Sequence, residues 1–155
     1  MTDDKKDNEN IKTGKFANIS KKKPLQFHHH LHKTIVKKNQ LPSYFIFYPT
    51  SRCNLMCSHC FYHDSLNKRM NELSLDEIDA FTKTMDPLLH LTLTGGEPYL
   101  RHDLDQIARI FYENTRTPII SIPSNGWYLD KMSEQIRNMM KWCPELILNQ
   151  LISID

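Results

Sequence analysis

From residue 44 onward, short apolar runs alternate with longer amphipathic ones, and that alternation restricts the fold more than any other feature of the chain. Residues 44–48 are aromatic and β-branched and are followed by Pro49, which reads as a fully buried strand. Ser74 and Glu77 make a capping box, and Leu75, Ile78, Phe81 and Met85 recur at helical spacing, so a helix is predicted over 75–85 with Pro87 beyond it. Residues 91–94 are a second strand ended by Gly95-Gly96. Asp103 is the expected cap of a second helix whose apolar side is Leu104, Ile107, Ile110 and Phe111. A third strand over 119–122 is closed by Pro123 and an Asn125-Gly126 turn. A third helix over 130–142 turns Met132, Ile136, Met139 and Met140 inward, and the stretch 146–154 contains a fourth strand. The order β-α-β-α-β-α-β implies right-handed crossovers and a parallel sheet, hence an α/β fold. In such sheets ligands sit at the carboxyl ends of the strands.

A length of 155 residues allows one domain by the usual arithmetic. Two parts differ in texture. Residues 1–40 hold ten lysines against four acidic residues, a balance of +6, and the rest of the chain carries −4. The net +2 therefore belongs to a lead-in, and a protein-wide argument for a nucleic-acid partner fails. We read residues 1–43 as a basic, poorly ordered segment and residues 44–155 as the folded part. The histidine tract at His28, His29, His30 and His32 cannot share one face of a helix or strand, because adjacent side chains diverge. No apolar run of about 18 residues is present, so no membrane span is expected. The charged first ten residues argue against a signal peptide. A cytoplasmic location follows as an expectation, and there four cysteines point to metal or redox chemistry before disulfides.

Three of those cysteines, Cys53, Cys57 and Cys60, stand in C-x3-C-x2-C spacing directly after the first strand. Three thiolates within eight residues can face one iron–sulfur cluster if the loop wraps round it, although such clusters usually take four. Cys143 is remote and reads as a buried small hydrophobe. The competing arrangement is a structural zinc site with His59 or His63 as fourth ligand. Gly95-Gly96-Glu97-Pro98 ends the second strand. Its glycines permit a sharp turn and a close backbone approach. Its carboxylate can accept from an ammonium group or cap the following segment.

The cysteine motif with Thr50, Ser51, Arg52 and Asn54 around it, together with Gly95-Gly96-Glu97-Pro98, resembles the radical S-adenosylmethionine (radical SAM) superfamily. Ser124-Asn125-Gly126 and Ser153-Ile154-Asp155 are similar to that family too. The resemblance implies that Cys53, Cys57 and Cys60 ligate a [4Fe–4S] cluster whose open iron takes the amino and carboxylate groups of SAM. It further implies that Gly95, Gly96, Glu97 and Pro98 serve the SAM amino group, that His59 lies against the adenine, and that Ser124 and Asn125 line the cavity. Ser153 and Asp155 would face the ribose or carboxylate side. The implied activity is reductive cleavage of SAM to a 5′-deoxyadenosyl radical that abstracts hydrogen from a small-molecule or peptide substrate. The electron would come from an external reductant of ferredoxin or flavodoxin type. The cysteine motif looks most like the branch that often carries a C-terminal SPASM-type cluster domain, which is absent here. Because that family's core is usually a six-unit β/α partial barrel, we expect residues 44–155 to be a truncated core: an incomplete (β/α)6 TIM-like barrel of about four parallel strands and three helices. The alternatives are an inactive cluster- or SAM-binding fragment and a zinc-binding structural protein.

Overall fold

Strand β1 (Tyr44–Thr50) sets the frame, because its side chains divide cleanly between two environments. In the computed structural model, which describes Pro24 and residues 43–68 and 71–154, Phe45 and Phe47 pack into the core. Tyr44, Ile46 and Tyr48 point the other way and remain 49%, 47% and 38% exposed. β1 is therefore a half-buried strand, not the fully buried one its composition suggests. It also runs through Pro49, which falls where the pairing register shifts between Phe47 and Thr50 and a missing N–H is tolerated.

The reason for the two-sidedness is the winding. β2 (His90–Gly95), β3 (Ile119–Ser124) and β4 (Ile147–Ile152) follow β1 in a four-stranded parallel sheet of order β1-β2-β3-β4. Spatial neighbours are sequence neighbours, so every crossover steps the same way. Right-handed crossovers then place α1 (Leu75–Thr82), α2 (Leu104–Thr115) and α3 (Leu129–Trp142) on one face. This is the winding of a β/α-barrel arc and differs from a doubly wound sheet, whose order reverses. The α/β class, the four parallel strands and the three helices match the expectation. Among the described residues, β1 and β4 each pair on one side only.

Leu91, Leu93, Ile120 and Ile122 of the sheet meet Ile78, Leu104, Ile107, Ala108, Phe111 and Met139 of the helices, all fully buried. Phe111 lies 6.1 Å from the Phe45 ring and 5.4 Å from the Phe47 ring, which fixes α2 over β1. The capping box forms: Glu77 N–H donates to Ser74 Oγ at 3.3 Å, and Ser74 N–H donates to Glu77 Oε2 at 2.8 Å. Three boundaries differ from the sequence reading. α1 stops at Thr82, and its end tightens through i→i+3 bonds from Thr84 N–H and Met85 N–H. Asp103 precedes α2 without capping it, because its carboxylate is held by Arg101. β3 runs through Pro123, beyond Thr92↔Ser121 where its pairing with β2 ends. Met140 is half exposed rather than inward, whereas Cys143 is fully buried behind α3 and burial pushes its thiol up to about 12. Among the described residues, no helix is long and apolar enough to cross a membrane. The rest of the lead-in, its histidine tract and Asp155 lie outside the described residues.

Candidate functional site

The loop that leaves β1 is closed at its neck by three side chains. Asn67 accepts from Cys53 N–H at 2.9 Å through Oδ1 and donates to the Cys53 carbonyl at 3.1 Å through Nδ2, while its own N–H donates to the Ser51 carbonyl at 2.9 Å. It adopts φ 56°, a left-handed conformation in which Asn is enriched over other non-glycine residues. Arg101, 5% exposed, donates to the Pro49 carbonyl at 2.9 Å and to the Leu73 carbonyl at 2.5 Å, so it grips both ends of the loop. Its remaining bonds go to Asp103. Glu72 takes a two-toothed bond from Arg52 and one from Thr50 Oγ1. Arg52 is thus committed to the Glu72 carboxylate.

Burial opposes the ionisation of Glu72, but hydrogen bonds from Thr50 and Arg52 and the charges of Arg52 and Arg101 hold its carboxyl below the ordinary 4.5. A folded value below the unfolded one means stabilisation that is full above the unfolded value and is lost as pH falls through the folded value. Glu72→Gln is accordingly expected to flatten the acid limb of thermal stability between roughly pH 5 and 3, read by circular dichroism. An unchanged acid limb would refute this account of the loop neck.

Inside the loop, Cys60 N–H donates to the Cys57 carbonyl and His63 N–H to the Cys60 carbonyl, both at 3.1 Å, so the second and third cysteines sit on successive turns. Cys53, Cys57 and Cys60 are all half-buried free thiols. Leu55 N–H donates to Cys53 Sγ at 3.4 Å. The Cys53 thiol is pushed up first by burial; the Leu55 bond works against this, and the charges of Glu97, Cys57 and Cys60 add to it. Glu97, Cys57 and Cys60 are therefore within electrostatic reach of Cys53.

The Gly-Gly-Glu-Pro segment docks onto the root of this loop. Gly96 N–H donates to the Thr50 carbonyl at 3.1 Å, and Glu97 N–H to the Arg52 carbonyl at 2.7 Å. The close approach that the glycines permit is made by the chain itself: a Cβ on Gly95 would meet Thr50 O at 2.3 Å, and one on Gly96 would meet Arg52 O at 2.1 Å. Glu97, 1% exposed, is a hub. Its carboxylate accepts from Tyr99 N–H (3.2 Å), Ser124 Oγ–H (2.9 Å) and Asn125 N–H (2.8 Å). It thereby caps the short turn Pro98–Leu100, as one of the two sequence readings held, and also ties the end of β2 to the end of β3. Asn125 reaches on to Asn54 in the cysteine loop at 2.9 Å. Tyr99 O–H donates to Gln150 of β4, so all four strand ends share one network.

Cys57, Asn125, Gly126 and Ser153 line one open cavity of about 630 Å³ between the cysteine loop and the ends of β3 and β4, with Leu129 and Met132 as part of its apolar wall. The sheet thus brings together Cys53, Cys57, Gly95, Gly96, Glu97, Pro98, Ser124, Asn125 and Ser153 at its carboxyl end, with Cys60 on the same loop. His59 is exposed on that loop. Asn67, Glu72 and Arg101 were not singled out in the sequence, and Asn54 entered only as part of the cysteine motif. The only local signal was composition: an Asn able to take the left-handed conformation, and opposite charges separated widely along the chain.

The family model for the radical SAM superfamily matches residues 47–147, about two-thirds of the chain. The chain belongs to the radical SAM superfamily. Similar curated proteins include a GTP 3′,8-cyclase of Aliarcobacter butzleri, 29% identical over 93 residues, and one of Listeria monocytogenes serotype 4b, 37% identical over 93 residues. These stretches take in 57% of this chain and 29% and 28% of the relatives. A 7-carboxy-7-deazaguanine synthase of Halobacterium salinarum is 39% identical over 75 residues, 45% of this chain and 29% of that protein. The chain therefore spans under a third of the length of the relatives it matches. Radical SAM enzymes use a [4Fe–4S] cluster and SAM, and the donor set suits the cluster: three half-buried thiols on one loop, with an N–H already donated to one sulfur. Each cysteine of such a cluster binds a different iron, so the thiols need not converge on a point. Among the described residues, no three His, Cys, Asp or Glu side chains gather round a single-ion site.

Proposed function

We propose that residues 44–155 form the cofactor-binding first part of a radical SAM core, in which Cys53, Cys57 and Cys60 hold the [4Fe–4S] cluster. The observation that carries this reading is the placement of the cysteine loop directly over Glu97 and the ends of β2 and β3. The cofactors, when bound and reduced, supply a 5′-deoxyadenosyl radical able to abstract hydrogen from a small-molecule or peptide substrate. The protein's part is to bind, orient and exclude. Glu97 spends three of its roughly four acceptor positions on Tyr99, Ser124 and Asn125, which leaves one for the SAM ammonium. Its main role in this reading is to hold Ser124 and Asn125 in place, with the backbone of Gly95 and Gly96 fixing the loop root and Pro98 starting the turn. Ser153 and Asp155 would serve the ribose or carboxylate side, and His59 would lie against the adenine. A ferredoxin- or flavodoxin-type donor provides the electron, in the cytoplasm. The matched relatives are named for different products, so the reading is the step common to them.

Anaerobic reconstitution of the whole chain with iron and sulfide tests this. Visible cluster absorption is expected, lost in Cys57→Ala and retained in Cys143→Ala, which removes a buried side chain without touching the loop. Bound zinc without iron would overturn the reading. Formation of 5′-deoxyadenosine on reduction with SAM separates an active chain from a fragment that holds the cluster and turns nothing over.

A further inference from the structure

We infer that Asn67 is a positioning residue that holds the backbone of Cys53 and keeps its N–H away from the cluster sulfurs, an inference that rests on the proposed cluster site. The two amide bonds from Asn67 take both backbone polar groups of Cys53, as a strand partner would. The Asn67 N–H closes the same neck on Ser51, and Ser51 Oγ donates to the Lys68 carbonyl at 3.2 Å. The neck of the loop is thus closed by protein groups alone. Its ordering cost is met on folding, before any metal arrives.

The consequence reaches the sulfurs. Hydrogen bonds to cluster and thiolate sulfur raise reduction potential, and outer groups that orient ligands carry a measurable share of metal affinity. Here the sulfur of Cys53 receives one N–H, from Leu55, while the N–H of Cys53 itself is spent on Asn67 Oδ1. Release of that N–H would loosen the first ligand and free a donor beside the sulfurs. A low potential suits a site that must pass an electron to a sulfonium, and Asn67 maintains it by withholding a donor.

The test uses the reconstituted full chain with Asn67→Gly and Asn67→Asp. Glycine keeps the left-handed backbone without strain and removes the clamp, so its effect is not one of φ. Asp keeps the acceptor for Cys53 N–H and loses the donor. Asn67→Gly is expected to lose iron to a chelator roughly tenfold faster and to shift the midpoint potential upward. Asn67→Asp should stay at or below the wild-type potential, since the N–H remains occupied and a negative charge is added. Wild-type iron retention and potential in Asn67→Gly would overturn the inference, as would an upward shift in Asn67→Asp. If the wild-type chain takes up no iron, the cluster reading itself fails. The clamp is then read from hydrogen exchange at the Cys53 amide, where protection in the wild type and its loss in Asn67→Gly support it and equal exchange refutes it.

Discussion

Glu97→Leu is expected to destabilise the folded chain by about 3–5 kcal/mol, because it strips the acceptor from three neutral donors at once. The side chain is 1% exposed and accepts three hydrogen bonds, two of them from backbone N–H groups, of which that of Tyr99 is buried. Leucine fills the volume and leaves the donors of Tyr99, Ser124 and Asn125 unsatisfied, each at a cost of about 1–3 kcal/mol before relaxation. Glu97→Gln separates charge from shape. One amide oxygen can still accept, but the amide NH₂ must face a donor on the other side, so a loss of about 1–3 kcal/mol is expected. Urea unfolding gives the order wild type, Gln, Leu, and the Leu variant should melt roughly 6–20 °C lower for a chain of this size. A function readout accompanies it, because Asn125 is aimed at Asn54 through the same carboxylate and SAM binding should weaken in both variants. Near-wild-type stability of Glu97→Leu would mean that the hub is not what joins the strand ends.

The architecture was legible because it depends on periodicity. Leu91, Leu93, Ile120 and Ile122 had to be buried, the Ser74–Glu77 box had to start a helix, and sequential β-α units had to wind one way. What the sequence concealed was the second face of the sheet. Tyr44, Ile46 and Tyr48 have the apolar character of buried strand residues, and only the one-sided placement of α1, α2 and α3 leaves them exposed. The strand ends were legible as chemistry: cysteines at 53, 57 and 60 and a Gly-Gly-Glu-Pro segment are local patterns. The supports of that chemistry were not. Asn67 acts on Cys53 across fourteen positions, Arg101 on Pro49 across fifty-two, and Asn125 on Asn54 across seventy-one. No residue type at those positions signals its partner, since Asn and Arg are ordinary surface residues, and Asn67 stays exposed while Arg101 is buried. Asp103 shows the same effect in reverse: its cap-like position before α2 was plain, yet the tertiary demand of Arg101 for a carboxylate overrides the local preference.

Gly96→Ala is expected to unseat the cysteine loop, at a cost of about 3 kcal/mol or more, the upper end of what forced overpacking imposes. The added methyl would stand 2.1 Å from the Arg52 oxygen, 2.5 Å from the Arg52 carbonyl carbon and 2.9 Å from the Ser51 oxygen. All three are backbone atoms one or two positions before Cys53, and none can rotate aside as a side chain would. Their retreat would break the Gly96-to-Thr50 and Glu97-to-Arg52 hydrogen bonds and pull against the Arg101 and Asn67 clamps. Gly126→Ala provides the contrast. There φ is +72°, so alanine pays a conformational cost of about 1–2 kcal/mol, but its methyl meets only the side chain of Ile152 at 3.2 Å, which is half exposed and free to yield. The two substitutions thus add the same methyl to neighbouring strand ends, one against backbone and one against a flexible side chain. Urea unfolding should rank Gly96→Ala well below Gly126→Ala, and iron uptake on reconstitution should fail in the first and persist in the second. Equal losses in the two variants would show that backbone conformation, and not the contact with the loop root, is what the second glycine of the motif provides.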